Sequence, residues 1–224
     1  MKSRLCFVAI LLAGIFLFEG CVIHSPMSET VMFHDKATNP THESKNGFGF
    51  TGSYSPTNST VDRVGEIETK DSEYETVGKP YNLRGLSYGF YYANYDTAGR
   101  YAFSGTLGAL VVGLDATAKL WGRNYFTAGV STPGHLQFYL QHRTLNSPYV
   151  ALSLGVGYQQ NTFFYRTDGY ATASRSFNSV GIRSYLIFRD HPETSGVFRI
   201  GTYIGYISEI DRPIIQISLL SGFF

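Results

Sequence analysis

Between Tyr149 and Gln160, large apolar residues alternate one for one with small or polar ones. Val150, Leu152, Leu154, Val156 and Tyr158 share one face, and Ala151, Ser153, Gly155, Gly157 and Gln159 share the other. A repeat of two marks an extended strand whose faces meet different surroundings, because successive side chains leave opposite sides of the pleat. The split recurs along the chain. Leu86, Tyr88, Phe90 and Tyr92 oppose Gly85, Ser87, Gly89 and Tyr91, while Leu136, Phe138 and Leu140 oppose Gln137, Tyr139, Gln141 and Arg143. Val180, Ile182, Leu186 and Phe188 oppose Gly181, Arg183, Tyr185 and Arg189, and Phe198, Ile200, Ile204 and Tyr206 oppose Arg199, Gly201, Tyr203 and Gly205.

The second face separates a barrel from a sandwich. A sandwich shows water a polar, charge-rich face. Here that face carries Gly and Ser with scattered Tyr, Gln and Arg, which suits the crowded interior of a narrow closed barrel. The apolar face then meets lipid, with Tyr92, Tyr101, Tyr158, Phe188 and Tyr206 as interfacial girdles. Composition agrees: 43% of the residues are hydrophobic and only 16% charged, as expected when lipid-facing and lumen-facing residues alternate. A soluble β-sandwich shares such a composition, so the pattern, not the totals, carries the reading. The net charge of +1 gives no support to nucleic-acid binding.

Turn signals divide the chain from Gly47 onward. They include Asp96–Gly99, Gly113–Asp115, Thr132–Gly134, Asn146–Pro148, Thr167–Gly169, His191–Glu193 and Asp211–Pro213, and nine strands result. Single-chain bacterial barrels usually have an even number. Val61–Glu68 is the candidate tenth; if it is a loop, two strands merge to give eight. The sequence therefore predicts an antiparallel transmembrane β-barrel of 8–10 strands. Loop alternation favours ten, with a tight Gly113–Asp115 turn on the periplasmic side and a longer Arg166–Arg175 connection outside.

The ends of the chain speak to location. Met1–Arg4 is basic, Leu5–Phe18 is apolar, and Glu19–Gly20–Cys21 follows. The run falls short of the ~20 residues a spanning helix needs and reads as a cleaved signal peptide over residues 1–20. Cys6 leaves with it, so Cys21 is the last cysteine and no internal disulfide or multi-cysteine metal site can form. Val22–Asn46 is polar and aperiodic and reads as a tether, so the domain plan is signal (1–20), tether (21–46) and barrel (47–224).

These features resemble the small bacterial outer-membrane β-barrel superfamily. The Gly20–Cys21 junction resembles a lipoprotein signal, which implies a lipidated Cys21; Phe18 stands where that signal usually has Leu, and an ordinary cut nearby is the alternative. The closing strand resembles the family's C-terminal assembly signal, read by the barrel-assembly machinery. Counting back from Phe223 gives Ser221, Leu219, Ile217 and Ile215, a better apolar alternation than from Phe224. Phe223 is thus the expected lipid-facing anchor and Phe224 an overhang.

The predicted lumen face gathers Lys119, Arg123, Arg143, Arg183, Arg189 and Arg199 with Tyr125, Tyr139, Tyr185 and Tyr203. Buried charges need partners. The expectation is a plug in which arginines are held by Tyr hydroxyls, Gln and an acid such as Glu209. The alternative is an anion-binding lumen, since guanidinium forks grip carboxylate or phosphate. His142 is the histidine placed within a strand, on the apolar face, without the Ser and acid pattern of a lipid-modifying hydrolase. His24, His34 and His42 are spread along the tether. Asp62, Glu66, Glu68, Asp71, Glu73 and Glu75 lack the Gly-punctuated spacing of a calcium loop. No metal, cofactor or catalytic residue is assigned. The expected role is structural or interactive at the cell envelope, with membrane lipid as the constant partner. A narrow anion or small-solute channel is the second reading and a lipid-modifying enzyme the third.

Overall fold

The structure is a computed structural model that describes residues 26–32, 46–55, 60–61, 81–82, 85–96, 99–108, 111–132, 134–166, 172–190, 196–209 and 211–223. Among the described residues one short helix, α1 (Ser28–Met32), precedes the strands. The strands are β1 (Asn46–Ser55), β2 (Thr60–Val61), β3 (Tyr81–Asn82), β4 (Gly85–Tyr95), β5 (Tyr101–Gly108), β6 (Val112–Trp121), β7 (Asn124–Ser131), β8 (His135–Asn146), β9 (Val150–Arg166), β10 (Thr172–Arg189), β11 (Gly196–Ile207) and β12 (Arg212–Phe223). Ten of them, β1 and β4 to β12, close into one barrel in which each strand pairs with its neighbour in order and β12 returns to β1. The pairings are antiparallel throughout.

Burial follows the alternation. β12 reads exposed and buried in turn from Pro213 to Phe223, and Ala151, Ser153, Gln159 and Asn161 of β9 are buried while Leu154 and Val156 are exposed. The register aligns outward apolar residues into rungs. Phe126, Leu140, Val156, Ile182, Ile204 and Ile215 follow one another across β7 to β12, and all are exposed. Aromatic rings stack along the same surface, with Phe138 at 6.4 Å from both Phe126 and Tyr158. Tyr92, Tyr101 and Phe188 lie outward near the end where β1 begins and β12 finishes. Tyr158 and Tyr206 lie nearer the other end.

Three expectations about strands and connections are corrected. Gly113–Leu114–Asp115 is not a turn but part of β6, with Asp115 buried on the inner face. The tenth strand arises instead at Trp121–Asn124, where a tight hairpin splits what reads as one strand. Gly122 takes φ = +55° there, a conformation that glycine adopts without Cβ strain. Thr60–Val61 pairs only with Tyr81–Asn82, in a separate two-stranded sheet, and supplies no barrel strand; residues 62–68 lie outside the described residues. The connection between β5 and β6 sits at the same end as that between β9 and β10, so the two do not alternate as expected.

β9 and β10 are the longest strands, at 17 and 18 residues. β8 joins β9 only up to Leu136↔Gln160, and β11 joins β10 only up to Ile207↔Ser179. Beyond those rungs β9 and β10 pair with each other alone as far as Thr172↔Arg166, forming a ribbon that overhangs the wall. Much of the expected Arg166–Arg175 loop is therefore strand. β3 lies against β9.

Candidate functional site: the plugged lumen

The interior is built from rings laid over glycines. Tyr139 on β8 is directly opposite Gly157 on β9, and Tyr185 on β10 is opposite Gly201 on β11. A Cβ at either glycine would run into the facing tyrosine ring. The small residues of the inner face thus make room for the large ones of the next strand. Tyr139, Tyr185 and Tyr203 are almost fully buried, and Tyr139 meets Tyr203 edge-on at 6.1 Å.

Arginines interleave with these rings. Arg183 on β10 lies 3.4 Å over the Tyr139 ring and 5.1 Å over Tyr185, and its Nη2 donates to Gln137 Oε1 at 3.1 Å. Arg199 on β11 lies 4.2 Å over Tyr185. Arg143 on β8 lies 4.8 Å over Tyr125. Hydroxyls and amides join them: Gln159 donates to the Tyr139 hydroxyl, and the Tyr203 and Ser179 hydroxyls hydrogen-bond to each other at 3.0 Å. A guanidinium over a ring gains about 2 kcal/mol when the pair is desolvated, which offsets part of the cost of burying its charge.

The feature that the sequence does not reveal is the segment Pro26–Met32. Read as tether, it enters the barrel, and Pro26 to Thr30 are buried. Asp115 Oδ1 accepts from the backbone N–H groups of Met27 at 3.0 Å and Ser28 at 2.7 Å, while its Oδ2 accepts from Ser104 Oγ at 2.6 Å. Ser28 Oγ meets Thr117 Oγ1 at 2.8 Å. Arg199 Nη1 donates to the Pro26 carbonyl at 2.6 Å and to Thr30 Oγ1 at 2.8 Å. Glu29 is buried in the field of Arg183, Arg199 and Arg143. The Ser153 hydroxyl donates to Gln141 Oε1 at 3.3 Å and leaves both Glu29 carboxylate oxygens without a hydrogen bond. The geometry places this serine on the amide.

Of the residues expected in the lumen, Arg143, Arg183, Arg199, Tyr125, Tyr139, Tyr185 and Tyr203 come together inside. Lys119 and Arg123 do not. The β6–β7 ladder shifts register between Lys119 and Trp121, and residues 119 to 123 are exposed at the rim. A bulge re-aims the side chains beside it. Arg189 is buried at the end of β10, where it donates to the Ser147 carbonyl at 2.5 Å and fastens the β8–β9 turn. Glu209 is exposed in the β11–β12 turn, where it accepts from the Asn178 backbone N–H at 2.9 Å and from Asn178 Nδ2 at 2.7 Å. Among the described residues the buried acids are Asp115 and Glu29. Asp115 had a signal: Gly113, Asp115 and Thr117 alternate with Val112, Leu114 and Ala116.

His142 is exposed and its Nδ1 meets Asn124 Oδ1 at 3.0 Å, with neither a serine nor an acid as its partner among the described residues. Among the described residues His135, at the start of β8, is the buried histidine. Among the described residues no group of His, Cys, Asp and Glu gathers to hold a metal. Phe223 is exposed on the outer face, 6.0 Å from Phe48. Cys21, Phe224, His24, His34, His42 and the stretch from Asp62 to Glu75 lie outside the described residues.

No family model matches the chain. No curated protein matches it either. Two solved structures of Ail, the attachment invasion locus protein of Yersinia pestis, are similar over 80% of this chain and 95% of Ail. One, in complex with the heparin analogue sucrose octasulfate, is 13% identical with a TM-score of 0.39. The other is 16% identical with a TM-score of 0.35. The architecture of the present chain rests on its own closed ladder.

Proposed function

We propose that this chain is an integral barrel of the bacterial outer membrane, closed by its own side chains and by Pro26–Met32, with a structural or interaction role at the cell envelope. The outer surface carries the reading. A closed antiparallel sheet leaves no open edge and is one of the two backbone forms that can cross hydrocarbon. The rung from Phe126 to Ile215 turns a continuous apolar band outward, whereas soluble monomers rarely expose such patches beyond a few hundred Å². The start of β1 and the end of β12 share one side of the barrel, which suits the periplasm. The β9–β10 ribbon and the connection carrying β2 and β3 then face outward from the cell.

The signal at residues 1–20 delivers the chain to the envelope, and a lipidated Cys21 anchors it there. Membrane lipid is the partner of the outer face, and the barrel-assembly machinery engages the closing strand with Phe223 and Phe224. The filled interior favours this reading over a free conduit, and the setting of His142 disfavours a hydrolase. Two measurements test it. The purified protein should migrate differently on SDS gels before and after boiling, and it should stay electrically silent at low voltage in planar bilayers. Identical migration, or steady current from the unmodified chain, overturns the reading.

A further inference from the structure

We propose that Pro26–Met32 is a displaceable gate, and that the lumen behind it conducts small anions such as chloride when the segment withdraws. The inference rests on the membrane-inserted, plugged barrel proposed above. A barrel of eight strands is just filled by its own side chains, and ten strands enclose more. The extra room is where the segment lies. It belongs to no barrel strand, so its removal breaks no rung of the wall.

Its fastening is polar. Asp115 holds the Met27 and Ser28 N–H groups, Thr117 meets Ser28, and Arg199 holds the Pro26 carbonyl and Thr30. Met27 itself rests its sulfur 3.7 Å from Arg199 Nη2. Each of these contacts is one that water can replace. The fit also leaves complementary groups apart. Both carboxylate oxygens of Glu29 are buried without a hydrogen bond, and so are Arg183 Nη1, Gln137 Nε2 and Gln141 Nε2. Buried polar groups left in this way favour any state that hydrates them. Withdrawal opens a path lined by Arg143, Arg183 and Arg199, fixed on their tyrosine rings, which selects for negative ions.

The test is recording from the full chain in planar bilayers under a potassium chloride gradient. Asp115→Ala should fold, as judged by heat-modifiable migration, and should give openings that are at least tenfold more frequent than wild type. Their reversal potential should lie on the chloride side, and adding Arg183→Gln should shift it toward zero. A Ser28→Cys, Thr117→Cys pair should lock the gate. Openings driven by high voltage should vanish under oxidant and return with reductant, with the cross-link confirmed by mass. If Asp115→Ala fails to fold, this lock in the otherwise unmodified chain decides. A folded but silent Asp115→Ala, openings indifferent to the cross-link, or a cation-side reversal potential each overturn the gate. Failure of the wild type to insert or to show heat-modifiability overturns the membrane-barrel reading instead.

Discussion

Leu154→Arg separates a lipid-facing wall from a water-facing one. Leu154 is outward on β9, 43% exposed, between the rungs His142↔Leu154 and Leu154↔Ser184. The outward apolar run of its strand extends from Val150 to Tyr158. Eight steps of ~3.3 Å make about 26 Å along the strand. At a tilt of roughly 40° this is about 20 Å along the membrane normal, close to the ~25 Å apolar band of such barrels. Leu154 lies midway, about 10 Å from either edge by the same measure. Arginine at that depth costs roughly 2–4 kcal/mol, which lowers the folded-to-unfolded ratio roughly 30- to 700-fold. In water, the same substitution at an exposed site would stay within about 0.5 kcal/mol. Urea unfolding in lipid vesicles, with Ser208→Arg in the exposed β11–β12 turn as control, measures the difference. A Leu154→Arg midpoint equal to wild type, beside a neutral Ser208→Arg, refutes the assignment of the outer face to lipid.

Three further outcomes follow from the same structure. Gly157→Ala should destabilise by about 1–3 kcal/mol through overpacking, because its Cβ meets the Phe138 carbonyl and the Tyr139 ring. Gly52→Ala, where the nearest atom is the Ser87 carbonyl at 3.8 Å, should stay within about 0.5 kcal/mol in the same unfolding assay. The Glu209 carboxyl is held below its ordinary range: partial burial raises it, but hydrogen bonds from its own backbone, from Asn178 and from Ser208 outweigh that. Its hold on the turn is thus present above the unfolded-state pKa and lost as pH falls through the folded one. Amide exchange at Asn178 should accelerate on acidification, and Glu209→Gln should remove that pH dependence. Finally, intact mass of the mature protein should show acyl chains on Cys21, and Cys21→Ser should abolish them; an unmodified residue 21 in the wild type refutes the anchor.

The alternation along β8 to β12 determines the inner and outer faces from sequence alone, because the period of two is local and each residue carries its own vote. Arg143, Arg183 and Arg199 could be placed inside for that reason. The strand count lay at the limit of such reasoning. Gly113–Leu114–Asp115 has the composition of a turn, while the real hairpin at Gly122 is shorter than any signal that composition gives. Lys119 shows the same limit from the other side: its place in the alternation points inward, and a register shift two residues later exposes it.

What only the tertiary structure decided is the filling of the lumen. Pro26 to Thr30 carry no period, no apolar stripe and no family motif. Their burial depends on Asp115 and Arg199, which stand 87 to 173 residues away from their partners in the chain and meet them only once ten strands have closed. A strand's faces follow from the chemistry of adjacent residues. The contents of a barrel follow from its circumference, which no single segment encodes.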